Sequence, residues 1–126
     1  MYKPIYTKNR TGRHLYLNVN FENDSNYILS CFMNIDVENF GKEILGMFED
    51  VLNDKVSNIE CGFNESDIII NKDKTSIVNL FIDGDDELII DTSELYSLVC
   101  EWLTKLNEFE KMGFFAKLLW GKTADK

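Results

Sequence analysis

The sequence predicts an α+β fold: a mainly antiparallel β-sheet of five to six strands, with two amphipathic helices packed on one face. Three observations carry this. Several short apolar or alternating segments are separated only by turn residues. Two longer segments instead repeat their apolar residues every three to four positions. The connections between strands are mostly too short to hold crossover helices, which favours hairpins.

Residues 1–13 are polar and basic, punctuated by Pro4 and Gly12, and read as an arm or an edge strand. His14 to Phe21 alternates, with Leu15, Leu17, Val19 and Phe21 on one face and His14, Tyr16, Asn18 and Asn20 on the other. That is a half-buried strand. Glu22 to Asn26 is a turn by composition. Tyr27 to Val37, with Ile28, Leu29, Phe32, Met33 and Ile35, is expected to be a second strand that pairs with the first as a hairpin. Residues 39–54 form the first helix: Phe40, Ile44, Leu45, Phe48, Val51 and Leu52 line one face, and Lys42, Glu43, Glu49, Asp50 and Asn53 the other. Gly41 and Gly46 weaken it by about 1 kcal/mol each relative to alanine, so it depends on packing.

Val56 to Phe63 and Ser66 to Asn71 are expected as a third and fourth strand, and residues 71–74 as a turn. Ile77 to Ile82 then forms a strand, Asp83-Gly84 supplies a hairpin turn, and Leu88 to Ile90 forms the next strand. The second helix begins at Asp91-Thr92-Ser93-Glu94. Leu95, Tyr96, Leu98, Val99, Trp102, Leu103, Leu106 and Phe109 make its core stripe, while Ser97, Glu101, Thr104, Lys105 and Glu108 face water. Asp91 or Thr92 is placed to cap the first turn, with Glu94 favourable at the positive end of the helix dipole and Lys111 and Gly113 as the stop. In residues 112–126, Met112, Phe114, Phe115, Leu118, Leu119 and Trp120 suggest a short helix. It either docks back onto the domain or offers a patch to a partner or a second copy of the chain.

With 126 residues, 44% of them hydrophobic, and one proline, the chain reads as a single domain spanning 1–126. Cys31, Cys61 and Cys100 form no CxxC pair, so they read as free thiols in a reducing compartment, most simply the cytoplasm. The first six residues lack the apolar core of a signal peptide. No stretch approaches the roughly 18 apolar residues of a membrane span, so no membrane partner is expected.

The net charge of −9 is unevenly distributed. Residues 1–21 carry +4, residues 22–111 carry −15, and residues 112–126 carry +2. An acidic body of this kind repels a phosphate backbone, which excludes nucleic acid as the expected partner and favours a basic protein. Asp83, Asp85, Asp86 and Glu87 cluster at one hairpin tip, and Glu65, Asp67 and Asp73 flank neighbouring turns. Gathered at one edge of the sheet, these seven would form a docking surface. No metal is expected: counted as an EF-hand from Asp83, the sixth position is Leu88, where the loop needs glycine. No cofactor motif is present. His14, the single histidine, comes with no nucleophile elbow, phosphate loop or HExxH helix, so no catalytic residue is assigned.

From Leu88 to Leu106, a strand ending Ile89-Ile90-Asp91-Thr92 runs into a helix from Glu94-Leu95 to Glu101-Trp102-Leu103. This stretch resembles small immunity proteins of bacterial polymorphic-toxin systems, including contact-dependent inhibition. The resemblance implies a cytoplasmic protein that binds one cognate toxin domain tightly and blocks it without chemistry of its own. Such families are often acidic because many of their toxins are basic nucleases. The acidic body agrees with that, whereas the basic arm at residues 3–13 would suit an acidic toxin surface. Two other readings stand beside it: a housekeeping adaptor that self-associates through the tail, and a small hydrolase built on His14 or paired carboxylates.

Overall fold

The computed structural model describes residues 2–24, 27–81 and 86–121. Its six strands are all antiparallel but fall into two sheets. Strands β1 (Pro4–Thr11) and β2 (His14–Phe21) form a two-stranded hairpin, closed at Gly12 (φ +61°). The basic arm is thus an edge strand. Strands β3 (Asn58–Gly62), β4 (Ser66–Asn71), β5 (Lys74–Asn79) and β6 (Leu88–Asp91) form a four-stranded meander in that spatial order.

The segment expected as the strand Tyr27–Val37 is helical. Helix α1 (Ile28–Cys31) continues through a π-helical turn, Phe32–Val37, into α2 (Glu38–Leu52). The apolar positions 28, 29, 32, 33 and 37 are spaced for a helix, and all five are buried. The local start signal is Asp24. Its carboxylate oxygens accept the backbone N–H groups of Leu29 (3.1 Å) and Ser30 (2.7 Å), satisfying two donors a helix start leaves free. With this segment helical, β2 takes β1 as its partner. Asn34, on the π-helical turn, covers β2 from the other side: its side chain accepts from the Val19 N–H (2.9 Å) and donates to the Val19 carbonyl (2.7 Å).

Helix α3 (Thr92–Glu110) buries Leu95, Leu98, Val99, Trp102 and Phe109, as its stripe predicts. Neither Asp91 nor Thr92 caps it through a side chain. Asp91 is instead ion-paired with Lys74. The Thr92 hydroxyl donates to the Asn71 carbonyl (2.5 Å) and lies 2.8 Å from that of Thr75, both threonines being fully buried. Trp102 donates its indole N–H to the Met33 carbonyl (2.9 Å), and its ring is stacked with Tyr6 at 6.1 Å. At the α2–α3 crossing Gly41 is required by close approach, since a Cβ there would sit 2.7 Å from Leu103 Cδ2.

The helices are the common neighbours of both sheets: β2 packs on α1, α3 and the π-helical turn, and the meander packs on α1, α2 and α3. The core is therefore one cluster, with Leu15, Leu17 and Val19 on the hairpin side and Ile68, Ile70, Ile77 and Ile90 on the meander side. A fourth helix, α4 (Phe114–Leu119), docks back onto the domain. Lys8 Nζ donates to the Lys117 carbonyl (3.0 Å) and to that of Leu118, and Trp120 packs edge-on to Phe109. Phe115 and Leu119 stay 78% and 64% exposed.

Candidate protein-binding face

Strand alternation in the meander puts Ile68, Ile70, Thr75, Ile77 and Ile90 into the core and turns the intervening residues outward. The pairing register assembles these outward residues into rows. Glu60 pairs with Ile69, Ile69 with Ser76, and Ser76 with Ile89, so one row crosses all four strands. Its length is about 14 Å from the usual strand spacing of about 4.8 Å. A second row runs Gly62, Asp67, Val78. Ile69 is 39% and Ile89 59% exposed, an unusual degree for isoleucine in the middle of a sheet.

The carboxylates are positioned by specific neighbours. Glu87 Oε2 accepts the Ser76 hydroxyl proton at 2.5 Å, which holds a negative charge over the middle of the first row, between the two isoleucines. Asp67 reclines over Gly62, where a Cβ would come within 2.7 Å of its Oδ1. Glu60, Gly62, Asp67 and Ile69 border a shallow depression of about 320 Å³. The Lys74–Asp91 pair closes the far side of the face.

The seven acidic residues singled out from the sequence do not all converge. Asp67 and Glu87 lie on this face. Glu65 precedes β4 at the same end of the sheet, half-buried, with its backbone N–H held by Asp36 Oδ1 (3.1 Å) and its carbonyl by the Leu80 N–H (2.7 Å). Asp86 is exposed just before Glu87. Asp73 sits at the opposite end, in the β4–β5 turn, roughly 17 Å from Asp67 at about 3.4 Å per strand residue. Asp83 and Asp85, with the expected Asp83-Gly84 turn, lie outside the described residues. Sequence reasoning missed Glu60, Ile69, Val78 and Ile89. The available signal was the run Ile68-Ile69-Ile70, three isoleucines where a one-sided strand needs only alternate ones.

Groups with nucleophilic or acid–base potential stand apart from this face. The Cys31 thiol is pushed up by burial, and further by the charges of Glu65, Asp24 and Asp36, so it is held as a thiol and not a reactive thiolate. His14 is exposed at the hairpin turn, its ring stacked with Tyr16 at 5.6 Å.

A curated protein of Bacillus cereus described as "Immunity protein" is 34% identical over 86 residues, covering 67% of this chain and 74% of the relative. The chain belongs to that immunity-protein family. No family model matches it, and no solved structure does. The aligned length requires that the likeness extend well beyond the strand–helix stretch at residues 88–106, into most of the architecture described above. In this immunity protein no helix among the described residues is long and apolar enough to cross a membrane.

Proposed function

We propose that the chain is a non-catalytic immunity protein that neutralises a cognate toxin domain by binding it at one-to-one stoichiometry. The observation that carries this reading is the 34% identity to a protein named for immunity. A net charge of −9 supports a basic toxin, of which a nuclease is one class, and supports association accelerated by long-range attraction. The raised thiol of Cys31 and the isolated, exposed His14 give no assembled acid–base or nucleophilic site to set against it. The toxin and the immunity protein would meet in the cytoplasm, where three free cysteines remain reduced.

The test is co-expression with the toxin domain encoded beside the chain's own gene. Rescue of growth, together with an equimolar complex in size-exclusion chromatography, is expected. A toxin that kills equally with and without the chain defeats the reading. A second reading rests on exposed Phe115 and Leu119, which would suit self-association. Sedimentation of the chain alone separates the two, since a dimer that forms without toxin and loosens on Phe115→Ser supports the second.

A further inference from the structure

We propose that the open face of the β3–β6 sheet is the toxin-docking surface. Its partner is a basic surface whose lysine or arginine side chains lie across Ile69 and Ile89 and end on Glu87, Asp67 and Glu60. This rests on the immunity reading and goes beyond it by naming the surface and the chemistry it accepts.

Three observations converge on it. The face is apolar at its centre and acidic around it: Ile69, Val78 and Ile89 supply the hydrocarbon, and the carboxylates of Glu60, Asp67 and Glu87 surround it. Lysine and arginine carry a long apolar stem and a charged head, so they are the side chains that satisfy both parts at once. The single cation of the face, Lys74, is taken by Asp91, which leaves the other three carboxylates to a partner. The Glu87 carboxylate is held in place by Ser76 before any partner arrives, which reduces the entropy lost on binding.

The same charges argue against a second copy as the occupant, because two such faces would bring three carboxylates against three. Size sets a further condition. A row of about 14 Å across strands of about 17 Å covers roughly 240 Å², well below the roughly 800 Å² per partner of a stable complex. The face is therefore the centre of the interface, and the contact extends past its rim. Asp73, at the far end, stands outside it.

The test uses the full chain and an inactive form of the toxin domain encoded beside its gene. Ile69→Lys with Ile89→Lys should weaken binding by about thirtyfold or more, as expected for loss of a central anchor. Glu60→Gln, Asp67→Asn and Glu87→Gln together should lower affinity and flatten its dependence on salt. Asp73→Asn should leave both unchanged. Should any variant fail to fold, isoleucine methyl signals of the wild-type chain give the answer independently: those of Ile69 and Ile89 must shift when toxin is added. Wild-type binding with undisturbed Ile69 and Ile89 methyls, or variants that bind like wild type, overturns the docking face and leaves the immunity reading standing. Failure of the wild-type chain itself to bind removes both. A dimer of the chain alone that Ile69→Lys abolishes would show a second copy covering the face and overturn the proposal.

Discussion

The buried Thr75–Thr92 pair makes an asymmetric prediction. Thr92 has one hydroxyl proton, and it is donated to the Asn71 carbonyl at 2.5 Å. The 2.8 Å contact between the two hydroxyls must therefore use the proton of Thr75, with Thr92 Oγ1 accepting. Thr75→Val removes a donor and leaves Thr92 still bonded to Asn71. The expected loss is about 0.5–1 kcal/mol, one net hydrogen bond. Thr92→Val breaks two bonds and leaves the Thr75 hydroxyl unpaired in a site with no solvent access. An orphaned buried donor costs about 1–3 kcal/mol, so the total is about 2–3 kcal/mol. In the double variant the orphan is gone, and the loss should fall to about 1–2 kcal/mol, below the sum of the single losses and no worse than Thr92→Val alone. Urea denaturation of the four proteins closes the cycle, provided the dependence on denaturant stays constant. Equal single losses, or strict additivity, would refute the donor assignment and with it the account of how α3 is anchored to the β4–β5 turn.

Three further outcomes follow from the same structure. Trp102→Phe should destabilise the fold by about 2–3 kcal/mol in a thermal or denaturant melt, since it removes the indole N–H bond to the Met33 carbonyl and part of a fully buried ring. Lys8→Met should release α4 from its carbonyl contacts, read as faster amide exchange across residues 114–119 and a red-shifted Trp120 emission, with the remaining amides unchanged. Absorbance titration of the five tyrosines should show late ionisation. Burial and then the hydrogen bond to Glu101 push Tyr6 well up; the bond to Glu49, followed by one to Cys100, raises Tyr96 to about 12; and burial and then Asp24 raise Tyr2. These folded-state values lie above the unfolded one of 10.0, so the folded chain keeps more protons at high pH. The stability they contribute is complete below pH 10 and declines as pH rises toward the folded values. Tyr6→Phe should abolish the latest-titrating component; a profile identical to wild type would contradict the Tyr6–Glu101 bond.

What the sequence made legible was governed by periodicity. The α3 stripe and the β2 alternation each name their buried face residue by residue, because one element meets one core surface. The segment 27–37 misled because β-branched and aromatic residues drew attention from the 28, 29, 32, 33, 37 spacing, and because the acceptor of its first amides, Asp24, sits four residues upstream of Ile28. Composition presents that same Asp24 as part of a turn. Pairing partners were hidden for a related reason: whether β2 pairs backward with β1 or forward depends on what residues 28–37 become. The acidic residues were visible individually, yet their grouping was not, since register alone decides that Asp67 and Glu87 share a face while Asp73 is carried to the other end of the sheet.

The π-helical turn at Phe32–Val37 has a consequence for how this chain tolerates length changes. An i→i+5 turn takes one residue more than an α-turn, so every side chain beyond it is set back by one residue's rotation, about 100°. Ile28 and Leu29 before it and Ile44, Phe48 and Val51 after it are all buried, each group at the angle its own surroundings require. Removing a single residue from 32–37 would leave an uninterrupted α-helix whose two halves could no longer both face inward. The hairpin and the meander would then compete for one helix. Those six positions act as a phase adjuster, and within this helix they are where a deletion of one residue would do more harm than many substitutions.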